Sequence, residues 1–407
     1  MDTYRFRKTI HRLPGKVIHT IPLPEPQVIE GHGARARIGA ICRKCGYKQV
    51  LVVTDRTLSS MGHEKRILKS LDAARIGYTV FNDINSEPNI NIIESGRAQA
   101  LQTHAEAIIA LGGGSVMDSC KMIAASVKMP HLPVKTLLLK FLPVHKGTLP
   151  LIMVPSTAGT GAEVTVGAVV SNDKGTKGST VLIGLQVTHV ILDSELTIHA
   201  PQSVTAACCI DALSHCIEGA ISDVDLNEDN MRMSMDGIKL IFQYLPVVMQ
   251  DPENIEARLA LCRAAMYGGN AINTQLAGYV HAFAHSIGAT YHLPHGKAIA
   301  LMLLPILELQ KDACGSKYAE LARYCGLVQE ATAIPLMTSD EQAADIFLQA
   351  VRDLMHGCQM DAIPSPVRAC DHEKLIDLIA ADSINYSAPV TLSNSDIQTV
   401  LNQLTPR

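Results

Sequence analysis

Four histidines crowd a short window, Tyr279–Ala298, that reads YVHAFAHSIGATYHLPHGKA. His281, His285, His292 and His295 are a quarter of the chain's 16 histidines, and no carboxylate lies among them. Upstream, IDALSHCIEG sets Asp211 and His215 four residues apart, flanked by Ile210, Leu213 and Ile217. Residues at i and i+4 share a helix face, so spacing alone pairs Asp211 with His215 and His281 with His285. A buried Asp beside a buried His is costly unless the two are hydrogen-bonded or bind a metal. A hydrogen bond would satisfy the first pair without an ion. The second cluster adds imidazoles that can converge with it: one carboxylate with three or four histidines suits Zn(II) or Fe(II). Such a centre is a Lewis acid with room for a substrate oxygen. Pro294 and Gly296 place His295 on a loop or helix start, and His292 is the weakest candidate of the four.

A second chemistry is written in ALGGGSVMDSCK, where Gly112, Gly113, Gly114 and Ser115 stand between an apolar run and a helical one. Glycines let the backbone turn sharply and approach a ligand, and a helix start offers free N–H groups and a positive dipole end to phosphate. The run is neither G-x-G-x-x-G nor a Walker A loop, and a plain tight turn is its other reading. Asp55 ends an earlier apolar run, QVLVVTD. An acid there can bind an adenosine ribose and repel a 2′-phosphate, favouring NAD over NADP; capping the next helix is the alternative. Arg56 beside it would soften that discrimination.

These residues need elements to hold them. Short apolar runs at Gln49–Asp55, Gly77–Asp83, Ala105–Ser115, Leu149–Thr157 and His189–Asp193 read as strands, with helical segments between the early ones. That alternation predicts a parallel sheet covered by helices. Ala168–Leu182 reads as a hairpin inserted in that sheet, turning at Asn172, Asp173 and Gly175. After Pro201 the strand signals stop, and Ser203–Ile221, Asn227–Val248, Ile255–Asn273 and Val280–Ala289 read as helices. The expected organisation is an α/β domain over residues 1–200 and an all-helical domain over 201–407.

Composition narrows the class. A chain of 407 residues that is 47% hydrophobic and 18% charged has a sizeable core. A net charge of -4 argues against a nucleic-acid or anionic-membrane partner. Eleven scattered cysteines fit reduced thiols in the cytoplasm rather than a disulfide scaffold. Cys42 and Cys45 form a C-x-x-C with no second pair at zinc-ribbon spacing, and Gly46 puts the pair at a helix end. The first residues carry charge but no apolar core, so no secretory signal is expected, nor is a membrane span.

With VTDRTL, GGGSVMDSCK, PSTAGTGAEVT, DALSHCIEG, GYVHAFAHSIG and PHGKA in this order, the sequence resembles the iron-dependent (group III) alcohol dehydrogenases of the dehydroquinate synthase-like fold, from about Gly31 onward. The resemblance implies a Rossmann-like domain followed by a helical one. It implies Asp211, His215, His281 and His295 as ligands of Fe(II), with Zn(II) as the other ion such a set accepts. His285 would then stand beside the nicotinamide and substrate, so His281 is paired with His295 where helix spacing alone pairs it with His285. Gly113, Gly114, Ser115 and Asp118 would hold the NAD pyrophosphate, Ser156, Thr157 and Thr160 would line the cofactor, Lys177 would reach one of its hydroxyls, and Asp55 would bind the ribose. A homo-oligomer of two or more subunits is expected. The chain departs from the family pattern at Cys208 and Cys209, ahead of Asp211, at Glu87, and at Thr188.

The expected activity is reversible hydride transfer between a small alcohol and NAD, with His285 as a proton relay. A lyase like dehydroquinate synthase would need basic residues around the metal for a multiply charged substrate, and the motif windows offer Lys297 and little else. A metal hydrolase would leave the glycine run and Asp55 without purpose, and a scaffold without activity would not need four intact ligand positions.

Overall fold

The computed structural model describes residues 23–84, 88–139, 141–145, 147–171, 177–222, 224, 228–328 and 338–406, without the side chains of Lys177 and Asn385. Glu87 and the turn residues Asn172, Asp173 and Gly175 lie outside the described residues. So do residues 1–16, on which the reading of no secretory signal rests.

Six strands form one sheet: β1 (Gln27–Glu30), β2 (Gln49–Asp55), β3 (Gly77–Ile84), β4 (Ala107–Gly112), β6 (Leu151–Pro155) and β9 (Val187–Leu192), in the order β1-β9-β6-β4-β2-β3. Every pairing in it is parallel. A parallel sheet with both faces covered needs apolar side chains on both. Val50–Val53 and Ile108–Leu111 are accordingly fully buried. That is why these strands read as continuous apolar runs rather than alternating ones. Edge strand β1, only four residues long and half-exposed, carries no such signature.

The predicted hairpin exists but does not join this sheet. β7 (Gly167–Ser171) pairs antiparallel with β8 (Lys177–Ile183), and with β5 (Phe141–Pro143) they make a separate three-stranded sheet. Lys121 helps to fix it: the fully buried ammonium donates to Thr165 Oγ1 at 2.9 Å and to the Gly167 carbonyl at 2.6 Å.

The chain falls into two compact units. One runs to Ala200 and adds Glu253–Gly269; the other holds Pro201–Pro252 and Asn270–Arg407. One division falls at Pro201, and Glu253–Gly269 does not group with the helices around it. Part of the cause is a glycine pair. A Cβ on Gly161 would sit 2.5 Å from the Gly269 nitrogen, so only glycine permits this crossing. Arg263 adds a two-pronged ion pair to Glu30, with both contacts at 2.6 Å.

Among the described residues the second unit is helical. Its central helix, Gln202–Ile221, is buried along nearly its whole length from Cys209 onward. A helix apolar on all sides belongs to an interior. It is long and apolar enough to cross a membrane, yet 83% of the qualifying window is buried inside the fold. Lys317 closes its C-terminal end, donating to the Ile221 and Ser222 carbonyls at 2.7 Å each.

Candidate active site

Three helices of the second unit bring four side chains together. Asp211 and His215 lie on Gln202–Ile221, His281 on Tyr279–Tyr291, and His295 opens His295–Leu309. Asp211 Oδ1 has the Nε2 atoms of His295, His281 and His215 at 3.2, 3.6 and 3.8 Å. Metal–ligand bonds of about 2.1 Å at tetrahedral angles would set donor atoms about 3.4 Å apart. The rings of His215 and His281 stack with centroids 4.6 Å apart. Asp211, His215 and His281 are almost completely buried, whereas His295 is 41% exposed on its side chain.

Asp211 Oδ1 and His281 Nε2 are buried without a hydrogen-bond partner. His281 turns its other nitrogen, Nδ1, to Glu218 Oε2, and Glu218 Oε1 accepts from the Val280 amide at 2.7 Å. A neutral imidazole that donates from Nδ1 carries a lone pair on Nε2. That lone pair faces a carboxylate oxygen, so the pair needs a cation between them. Asp211, His281 and His295, whose ligand atoms all lie within 4.8 Å of one another, therefore fit a divalent metal ion, and His215 stands 3.8 Å from Asp211 beside them. The acidities follow. Burial pushes His215 down to about 4. Burial would lower His281 too, but the Glu218 carboxylate outweighs it and raises His281 to about 10. Burial would raise Asp211, yet His215 and then His295 hold it well below the usual carboxylate range.

The helix Tyr279–Tyr291 explains which histidines converge. It ends at His292, whose φ of 54° is left-handed, and Pro294 then starts the next helix. That reversal brings His295 back to Asp211. His285 stays one turn along, its ring centroid 5.8 Å from His281 and 5.3 Å from His295. Its Nδ1 meets the Tyr386 hydroxyl at 2.6 Å. His292 is the C-cap of the helix. Glu218 and Tyr386 are the residues the sequence reading missed. Glu218 had a visible signal, since it lies seven residues after Asp211 on one helix face; Tyr386 had none.

In the first unit, parallel pairing gathers the other candidates. Val53 aligns with Ala110 and Gly112 with Pro155, so Asp55, the glycine run and Ser156–Thr157 share the carboxyl edge of three adjacent strands. Ligands of open α/β sheets bind outside that edge. Gly113 is the N-cap of helix Gly114–Val127, with no side chain capping it. A Cβ on Gly112 would strike Val116 Cγ2 at 2.4 Å, and one on Gly114 would meet Thr160 Cγ2 at 3.1 Å. Thr157 stands beside Gly113 at 3.5 Å on the same measure. Ser115 follows in the helix's first turn. Asp55 caps the helix Arg56–Ser60, its Oδ1 accepting from the Leu58 amide at 2.8 Å. Arg56 pairs with Asp83 at 2.8 Å. Asp118 commits both oxygens, to Lys121 at 3.1 Å and to the Val169 amide at 3.0 Å, and so anchors the loop and the small sheet. Lys177 opens β8, and its side chain is outside the described set.

Comparison with known proteins gives the arrangement a context. A family model described as iron-containing alcohol dehydrogenase matches residues 25–194, and its C-terminal counterpart matches residues 205–405. Lactaldehyde reductase of Escherichia coli K12 is 28% identical over 322 residues, 79% of this chain and 82% of its own. The crystal structure of a 1,3-propanediol oxidoreductase superposes with a TM-score of 0.85 at 27% identity, covering 94% of this chain and 99% of that one. Sulfoacetaldehyde reductase from Bifidobacterium kashiwanohense, solved in complex with NAD+, gives 0.84 at 27% identity, with 94% and 98% covered.

Proposed function

Because the chain belongs to the iron-containing alcohol dehydrogenase family, and so is an alcohol and aldehyde oxidoreductase of dehydroquinate synthase-like fold, we propose that Asp211, His215, His281 and His295 hold Fe(II) and that the substrate is a short alcohol or aldehyde. The observation that carries this reading is the unpartnered Asp211 Oδ1 with three imidazole Nε2 atoms within 3.8 Å of it. When bound, the ion supplies Lewis acidity and the dinucleotide accepts or returns hydride. Glu218 keeps the His281 lone pair on Nε2. His285 takes the proton that an alcohol gives up and returns it to the product of aldehyde reduction. Zn(II) is the other ion this ligand set accepts, since availability as well as affinity decides loading.

The dinucleotide rests on Gly113, Gly114 and Ser115 through backbone N–H groups, with Ser156, Thr157 and Thr160 beside it and Lys177 reaching a cofactor hydroxyl. Asp118, expected at the same pyrophosphate, also accepts from Lys121 and from the Val169 amide and so steadies the helix start that carries these groups. Asp55 selects NAD: its carboxylate disfavours a 2′-phosphate. Arg56, already paired to Asp83, does little to offset it. The eleven free thiols support a cytoplasmic, reducing setting. The assembly is read as two or more subunits from the family resemblance.

The test is anaerobic NADH oxidation by a panel of short aldehydes, on stripped enzyme reloaded with Fe(II) or with Zn(II). Turnover restored by Fe(II) is the expected result, and the panel ranks substrates. Tight NADH binding with no turnover under either ion would overturn the substrate class and favour a lyase.

A further inference from the structure

The ring of His285 lies 5.8 Å and 5.3 Å, centroid to centroid, from those of His281 and His295, and its Nδ1 meets a pair of residues from near the far end of the chain. Asp382 ends the helix His372–Asp382, and Tyr386 follows after one short turn. The Tyr386 hydroxyl lies 2.6 Å from His285 Nδ1 and donates to Asp382 Oδ2 at 3.2 Å. The third edge of the triangle, His285 Nδ1 to Asp382 Oδ2, is 3.8 Å. The phenol does not float. The next residue, Ser387, donates its amide to the Ala277 carbonyl at 3.0 Å, and its hydroxyl meets that of Ser222 at 2.7 Å. The segment is thus tied to the end of the helix that carries Asp211 and to the residues just before the helix that carries His281.

The bond from Tyr386 to Asp382 sets the direction of this chain. An ionised carboxylate only accepts, and a phenol has one proton to give. If Tyr386 gives that proton to Asp382, its oxygen can only accept from His285, so the imidazole hydrogen sits on Nδ1. We infer that Asp382 and Tyr386 are positioning residues that set the tautomer of His285, placing its hydrogen on Nδ1 and its lone pair on Nε2, the nitrogen that exchanges a proton with substrate. Burial and then Asp382 push the Tyr386 phenol well above its ordinary acidity range, so it stays a hydroxyl and does not become a phenolate. The inference rests on the reading of His285 given above. It names a residue pair, 97 and 101 positions downstream of that histidine, that spacing in the sequence does not connect to it.

The experiment uses Tyr386→Phe, which keeps the ring and removes the hydroxyl, with Asp382→Asn as the second variant and His285→Ala as the reference. Metal content and the thermal melt are recorded for each. In Zn(II)-loaded protein labelled with 15N-histidine, the wild-type resonance that disappears in His285→Ala is expected to show a protonated Nδ1. In Tyr386→Phe it moves toward the Nε2–H form. Turnover of Tyr386→Phe is expected to fall roughly ten- to hundredfold at unchanged KM, the usual cost of losing a group that orients a functional histidine. Asp382→Asn is no longer acceptor-only, so it shifts the tautomer in the same direction with a smaller loss. The losses of Tyr386→Phe and His285→Ala do not multiply in the double variant, because one acts through the other. A structural role would lower the rate in both backgrounds. A wild-type tautomer and rate in Tyr386→Phe, beside a slow His285→Ala, would overturn the inference and leave the role of His285 standing. A His285→Ala enzyme as fast as wild type would sink that role, and the inference with it.

Discussion

In the first unit the groups that would face a dinucleotide are strand ends and a helix start; in the second, the groups that would face an ion are side chains on three helices, all but His295 buried. The difference shows in two buried carboxylates. Glu163, in the first unit, is pushed up by burial to about 7. Asp211, as deeply buried, is held well below the usual range, because imidazoles surround it. Backbone N–H groups hold phosphate without charges of their own, so no single side chain there carries the binding. A metal cluster concentrates charge where water cannot screen it, so every member counts.

That contrast sets the order of effects. Asp211→Asn removes the anion at the centre of the cluster. Metal content should drop to near zero, and turnover should fall roughly a thousandfold, as read by metal analysis and NADH oxidation. Glu218→Gln comes next. The amide that replaces one carboxylate oxygen donates toward His281 Nδ1, which favours the hydrogen on Nε2 and removes the ligand lone pair. Metal affinity should weaken by about 10–100-fold, measured by competition with a chelator, while the helix is undisturbed.

Gly114→Ala probes the first unit. The added Cβ would stand 3.1 Å from Thr160 Cγ2, a contact that a slight shift relieves. NADH should bind several-fold more weakly with metal content unchanged; loss of metal in this variant would break the contrast. The smallest effect is on stability. A carboxyl whose folded value is raised favours its protonated form. Its contribution is full below the unfolded value of 4.5 and is lost as pH rises through about 7. Between about pH 5 and pH 8 the melting temperature of wild type should therefore fall more than that of Glu163→Gln, which does not titrate. Parallel slopes would remove Glu163 from the account.

Much of this was legible in the sequence, for identifiable reasons. The interior strands announced themselves because a parallel sheet demands apolar residues on both faces. Asp211 and His215 announced themselves because a helix puts i and i+4 together. The same rule paired His281 with His285, and the structure shows why it failed there: the chain reverses at His292 and Pro294, so the ring that reaches Asp211 comes from the next helix. Edge strand β1 and strand β5 were too short to signal, and the hairpin's own sheet is tied at Gly167 to the buried Lys121, a contact that spacing does not announce. The grouping of Glu253–Gly269 with the first unit owes part of its cause to the approach of Gly161 to Gly269, a contact between residues more than a hundred positions apart. Tyr386 was invisible for the same reason.

The central claim is that four side chains of the second unit make one metal site. Anaerobic equilibrium dialysis of the stripped protein against Fe(II) tests it most directly, run side by side on wild type and Asp211→Asn. One ion per chain in wild type and none in the variant is the predicted result. Equal loading of the two, or no loading of either, would contradict it.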